Sequence, residues 1–311
     1  MQKPSFDPGL TQQFGGVLRR TINKDGSFNV LRTGGSWRDI HPYLYLINVR
    51  WPTFMALVFA SYVAVNTFFA LIYFALGPGH LQGADSASPF RHFLYCFFFS
   101  AHTLTTVGYG NIVPIGIVAN SLAAFEALAG LMGFAVATGL FYGRVSRPSA
   151  KIGFSEKMLV TPYQDRTSLQ FRIVNLRRNN LTDLQASVLL MTVEGPPPQT
   201  ARKYQVLELE RERVYFFPLT WTVVHPIQET SPLFGKTVAE LETLQAEFLI
   251  LIKGFDDTFS QTVNARYSYR YDELEWGAKF SPAFHVDEAG ELVLELDSVG
   301  NFQRVGAISG D

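Results

Sequence analysis

Thr106-Val107-Gly108-Tyr109-Gly110 is the stretch whose reading decides this fold. A dehydrated cation needs a ring of oxygens at fixed distance, and backbone carbonyls supply one only when several consecutive residues point them the same way. Glycine permits that: Gly108 and Gly110 can take the left-handed dihedrals that turn successive carbonyls inward. Thr106 adds a hydroxyl, and Val107 and Tyr109 can pack outward. As a bare string the five residues also fit a glycine-containing turn in any protein, so the flanks must decide.

Between Trp51 and Gly143 only Asp85, Arg91 and Glu126 are charged, although the chain of 311 residues is an ordinary 47% hydrophobic and 17% charged. Upstream of the pentapeptide, Pro89 to Thr105 is apolar and aromatic but too short to cross a bilayer. A half-length helix over 89–105 that starts at a proline and stops at the pentapeptide is a re-entrant segment, tolerated only where protein or a water-filled pore shields its backbone. Its C-terminal end carries partial negative charge and faces the ion path. Further upstream, Thr53 to Leu76 is uncharged and long enough for about 30 Å of hydrocarbon, which predicts an outer helix over 52–76 ended by Gly77-Pro78-Gly79. Downstream, an inner helix is expected over 114–143, apolar apart from Glu126 and carrying Gly130, Gly133, Gly139 and Gly143. Small residues there let helices approach or bend.

Ahead of the first span, Trp37, Ile40, Tyr43, Leu44, Ile47 and Trp51 recur at three- and four-residue spacing, with Arg38 and Arg50 near the ends. That pattern predicts an interfacial helix over 36–51, in which Pro42 must occupy a first turn or cause a break. Residues 1–35 have no apolar period and read as an extended or partly disordered lead-in with little chemistry. They lack the apolar core of a signal peptide, so the N-terminus is expected in the cytoplasm. Arg19, Arg20, Arg38 and Arg50 precede the first span, Arg144, Arg147 and Lys151 follow the second, and only Arg91 lies between. The positive-inside rule then puts both termini in the cytoplasm of a protein of the cell inner membrane.

From 149 to 296 the pattern becomes short alternating runs, among them Met158–Tyr163, Leu169–Asn175, Arg213–Phe217 and Thr262–Tyr271, separated by turns such as Asn179-Asn180. This predicts an all-β, immunoglobulin-like sandwich, interrupted by a short helix that Thr237 and Glu240 open as a capping box and that ends near Gln245. Residues 297–311 read as a loose tail. The single Cys96 excludes an intramolecular disulfide, the near-neutral charge offers nothing to nucleic acid, and no P-loop, zinc spacing, GxSxG or dinucleotide fingerprint points to an enzyme.

Two spans around a re-entrant helix with TVGYG, followed by a cytosolic β domain, resemble the inward-rectifier potassium channels, particularly their bacterial branch; potassium channels carry that pentapeptide as their selectivity filter. Trp37-Arg38-Asp39 and Trp51-Pro52 resemble the family's slide helix and its junction with the outer helix. Further matches are Ala135-Val-Ala-Thr-Gly139 with Arg147-Pro148, Val224-His-Pro-Ile227 with Ser231-Pro-Leu233, and Glu273-Leu-Glu-Trp-Gly277. The resemblance implies a homotetramer, passive K+ conduction past the carbonyls of Thr106, Val107, Gly108 and Tyr109, and no cofactor beyond the permeant ion and an anionic lipid effector. It implies gating elements at Gly130, Phe134, Gly139 and Tyr142, a cytosolic loop gate at Gly254, Phe255, Phe259, Ser260 and Gln261, and lipid contacts at Arg38, Arg144, Arg147 and Lys151. A juxtamembrane cationic cluster attracts anionic headgroups in any case.

The chain departs from many eukaryotic members. His102 and Ile112 stand where they pair a pore-helix Glu with an Arg, no disulfide flanks the pore, and Phe134 replaces the Asp of strong rectifiers. Glu126 and Tyr142 are sixteen residues apart, roughly 160° around a helix, so if Tyr142 faces the bore Glu126 faces the pore helix. Glu126 then supports the filter with His102 as a neighbour; the alternative is a carboxylate that attracts ions from the cavity. His102 is either a proton sensor or a packed side chain, and Asp256 and Asp257 either line the cytosolic pore or are solvated loop acids. A membrane-anchored sensor with a vestigial pore is the competing function.

Overall fold

The computed structural model describes residues 8–10, 20–34, 41–84, 88–146, 150–195 and 200–305. The chain divides into two compact units, Thr33–Arg147 and a second composed of Met1–Arg32 with Pro148–Asp311.

The first unit holds α1 (Pro42–Asn48), α2 (Trp51–Leu76), α3 (Pro89–Leu104) and α4 (Gly116–Val145). Pro42 opens α1, as its missing amide allows, and the helix runs for 7 residues before an extended break at Val49 and Arg50. The interfacial helix is thus shorter than 36–51, and its expected start lies outside the described residues. α2 has 26 residues and α4 has 30, with mean hydropathy 2.0 and 1.6 over their most apolar 18-residue stretches, and both are long enough to cross a membrane. α3 ends at Leu104 rather than 105, and the inner helix runs over Gly116–Val145 rather than 114–143, with Ile115 before it. β1 (Leu81–Gln82) and β2 (Val113–Pro114) pair across the two sides of the pentapeptide loop. Gly83 is needed there: a Cβ on it would stand 2.2 Å from the Asn111 carbonyl oxygen. Behind the loop, Phe69, Ala70, Tyr73, Leu81, Cys96, Phe99 and Ile112 form one buried cluster contributed by α2, α3 and the two short strands' surroundings.

The second unit is β-rich. It contains β3 (Ile152–Phe154), β4 (Met158–Tyr163), β5 (Arg166–Asn175), β6 (Leu181–Glu194), β7 (Ala201–Leu207), β8 (Arg213–Phe216) and β9 (Thr220–Ile227). After α5 (Val238–Thr243) come β10 (Glu247–Asp256), β11 (Gln261–Arg270), β12 (Leu274–Trp276), β13 (Ala278–Phe280), β14 (Phe284–Val286), β15 (Leu292–Leu294) and β16 (Phe302–Arg304). One sheet has the order β11-β10-β6-β7 with β8 also on β6, and another the order β12-β4-β5-β3 with β9 on β5. Their inward residues, including Phe171, Ile173, Leu190, Trp221, Phe248, Ile250 and Tyr269, share a single core. Thr237 caps α5 reciprocally with Glu240, and the helix stops at Thr243.

Two expectations fail here. Residues 297–305 are not a loose tail, because β16 pairs with β13 and Val299 is buried; the rest of that expected tail, 306–311, lies outside the described residues. Of the lead-in, the described residues 20–24 are anchored too. The amides of Thr21 and Ile22 donate to the buried carboxylate of Glu247, at 2.9 Å and 3.4 Å to Oε1. Ser268 Oγ donates to the Ile22 carbonyl, Arg20 and Lys24 both pair with Glu273, and Ile22 packs among Met191, Tyr204 and Leu249. These partners lie more than 160 residues away in sequence, which is why no local period announces them.

Candidate functional site: the pentapeptide loop and its supports

The loop begins where α3 runs out of partners. Thr106, Gly108 and Gly110 have φ of 58°, 53° and 77°, whereas Val107 and Tyr109 between them keep negative φ. Alternating handedness is the backbone condition for consecutive carbonyls to face one way. Glycine takes the left-handed values freely, but Thr106 does so at a steric cost of about 1–2 kcal/mol. What holds it there is the end of α3: the Thr106 amide donates to the Thr103 carbonyl at 3.0 Å, and the amides of Val107 and Gly108 both donate to the His102 carbonyl at 2.9 and 3.2 Å. His102 therefore supports the loop through its backbone oxygen. Its ring stands edge-on to Tyr109, with centroids 4.7 Å apart.

Glu126 is fully buried within the first unit. Its carboxylate accepts from Ser100 Oγ on α3 and from Tyr73 OH on α2 at 2.8 Å, and Ser100 Oγ also lies 3.1 Å from Asn66 Oδ1. One side chain from α4 thus meets α2 and α3 in a single polar cluster. His102 is not part of it. Two residues turn a helix through about 200°, so His102 and Ser100 lie on nearly opposite faces of α3. The sequence missed Ser100, Tyr73 and Asn66; an uncharged amide within a span, at Asn66, was the available sign.

Gly130 faces the end of α3 at very close range, for a Cβ on it would lie 2.0 Å from the Leu104 carbonyl oxygen. Its position is explained by packing. Gly139 has open space around it, and Phe134 and Tyr142 are exposed on the single chain. In the second unit, residues 254–261 form the tight β10–β11 hairpin, with a register irregularity around Gly254, Phe255 half-exposed and Ser260 at φ 49°. Asp256 is neither pore-lining nor a solvated loop acid. It is completely buried, accepting from Asn179 Nδ2 at 2.7 Å and from the Thr258 amide at 3.0 Å, so it builds the turn that carries Phe259. Asp257 is exposed and accepts from Thr182 Oγ1 at 3.0 Å.

Of the basic residues expected at lipid headgroups, Arg38 and Arg147 lie outside the described residues and Lys151 is exposed. Arg144 differs from expectation: its guanidinium is turned inward onto the carbonyls of Leu46 and Val49, beside the rings of Trp51 and Phe54.

With this geometry in view, two family models match, "Inward rectifier potassium channel C-terminal domain" over residues 152–309 and "Ion channel" over residues 51–147. The chain is 37% identical over 290 residues to the inward rectifier potassium channel Kirbac3.1 of Paramagnetospirillum magnetotacticum, covering 92% of this chain and 95% of that one. The chain belongs to the inward rectifier potassium channel family. More distant relatives include the human ATP-sensitive inward rectifier potassium channel 14, 26% identical with 85% of this chain and 65% of the human one covered. The mouse G protein-activated inward rectifier potassium channel 3 is 27% identical, with 87% and 74% covered. Inward rectifier channels are membrane ion-transport proteins and not enzymes, in keeping with the length and apolarity of α2 and α4 and with the match of the β-rich unit to the family's C-terminal domain.

Proposed function

We propose that four copies of this chain surround a common axis and pass K+ passively between the backbone carbonyls of Thr106, Val107, Gly108 and Tyr109. One copy cannot encircle an ion, and a closed four-fold ring of identical loops can. The alternation of φ along Thr106–Gly110, held by the His102 carbonyl, is the observation that carries this assignment. Glu126 supports the filter from behind through Ser100, and Tyr73 and Asn66 complete that support.

Conduction is gated where the inner helices converge, at Tyr142 with Phe134 and Gly139 above it, and at the β10–β11 hairpin of Gly254, Phe255, Phe259, Ser260 and Gln261; Gly130 packs the inner helix against the end of α3. The two larger sheets form an immunoglobulin-like sandwich in the cytoplasm, with both termini there. Anionic lipid of the cell inner membrane modulates opening through Arg38, Arg147 and Lys151.

Reconstitution into liposomes tests the assignment. Barium-sensitive rubidium uptake is expected, and its dependence on anionic phospholipid is read in the same vesicles. Well-folded tetramer with no barium-sensitive flux across several lipid compositions overturns conduction and leaves the anchored sensor as the better account.

A further inference from the structure

Arg144 occupies the last turn of α4, two residues beyond Tyr142, and its environment is unlike that of a residue waiting for a headgroup. Nη1 donates to the carbonyl of Leu46, and Nη2 to that of Val49 at 2.6 Å. Leu46 lies in the last turn of α1 and Val49 is its C-cap, so these are two of the carbonyls that a helix end leaves unpaired and partially negative. The guanidinium carbon stands 4.8 Å from the Trp51 ring centroid and 4.6 Å from that of Phe54, both in the first turn of α2. Its Nε is buried and has no hydrogen-bond partner. The neighbouring Gly143 lets α1 come close: where its Cβ would be, Tyr43 OH is 3.1 Å away and Ile47 Cδ1 3.3 Å.

One planar cation therefore joins three elements at the level of the inner-helix end. We propose that Arg144 is a gate-positioning residue: a guanidinium strut that ties the end of α4 to the α1–α2 junction, so that movement of the Tyr142 level has to carry α1 with it. The proposal rests on the gate assignment of Tyr142, and on no lipid. Chemistry separates it from an electrostatic role. A lysine keeps the charge but offers a compact ammonium, which cannot present a rigid two-pronged fork to two carbonyls while lying against the Trp51 and Phe54 rings. Removing the Trp51 ring leaves the charge untouched.

The test uses the full-length channel as R144K, W51L and R144Q, with two measurements. Amide exchange over residues 42–49 reads the strut directly and does not require conduction. Open probability and unitary current in planar bilayers read the gate. The strut requires that all three variants raise exchange in α1 by about fivefold or more and shift open probability by a similar factor, with unitary current unchanged. R144K and W51L at wild-type values, with only R144Q altered, would show a headgroup charge instead and overturn the strut. Faster exchange with unchanged open probability would reduce Arg144 to local packing, and a fall in unitary current would place the damage in the pore; either result overturns the gate-positioning role. If R144Q fails to assemble, R144K and W51L alone decide between these outcomes. A silent wild type would defeat the channel assignment separately, with the exchange measurement still deciding whether the strut exists.

Discussion

Glu126 illustrates how much a single buried carboxylate can organise. Its partners Ser100 and Tyr73 reside on two other helices, and none of the four groups in the cluster faces open space on the chain. A buried hydrogen bond contributes about 0.5–1.5 kcal/mol net, and leaving a buried partner unpaired costs about 1–3 kcal/mol of desolvation. Glu126→Gln and Ser100→Ala are therefore expected to lower the thermal stability of the K+-loaded channel by several degrees, with barium block of the surviving channels unchanged. A thermal melt in K+ alongside a block titration checks this; unchanged stability with weakened cation block would return Glu126 to the cavity. At Gly130 the geometry decides between hinge and packing. An added Cβ has 2.0 Å to the Leu104 carbonyl oxygen, so α3 or α4 must move. Gly130→Ala is expected to destabilise the pore unit by about 1–3 kcal/mol as an overpacking change. A hinge role alone predicts altered opening with normal stability, and the same melt with flux distinguishes the two.

Among elements, those bounded by composition and punctuation were legible in the sequence. Proline at Pro89, glycine at Gly77 and the scarcity of charge from Trp51 to Gly143, where only Asp85, Arg91 and Glu126 are charged, marked α2, α3 and α4 to within a few residues. The conformation of the pentapeptide was legible only at its glycines; the left-handed Thr106 follows from the α3 terminus and not from its own propensity. What stayed hidden were contacts with distant polar partners, such as Arg144 on α1, and three-residue strands such as β14 and β16, too short to show alternation. The lead-in at residues 20–30 belongs with these. Burial opposes charge on both Lys24 and Glu273, yet their mutual hydrogen bond, with the Arg270 amide and Arg20 for the carboxylate, leaves Lys24 raised and Glu273 lowered. A depressed carboxyl stabilises above its unfolded pKa and loses that contribution as pH falls through the folded value. A raised lysine holds until pH climbs past its ordinary range. The tether is thus complete across neutral pH and released on acidification below the usual glutamate range. Glu273→Gln at pH 7 should reproduce the acid state, with faster amide exchange over residues 20–30 and unchanged exchange in β5. Equal exchange in mutant and wild type would show that Glu247 alone anchors the segment.

At the scale of the molecule, one chain leaves its functional surfaces bare. Tyr109 is 73% exposed, Phe134 73% and Tyr142 71%, and only 6% of the most apolar window of α4 is buried, against 17% for α2. The helix read as the inner one is the less covered within its own chain, which is the order expected if other copies cover it. In the proposed tetramer the filter belongs to no single chain, so K+ held by four sets of carbonyls binds the assembled state and not the separated subunits. Mass action then stabilises assembly by about 2.7 kcal/mol at a K+ concentration one hundred times its dissociation constant. Thermal dissociation followed by light scattering is accordingly expected to shift upward in K+ relative to Na+ at equal ionic strength, with a particle of four chain masses below the transition. Replacing Gly108 by alanine should remove the ion-dependent part, because its φ of 53° lies where a Cβ is penalised and the carbonyl alternation depends on it. Identical transitions in the two salts would mean that the loops do not close into a common ring, whatever mass the particle has.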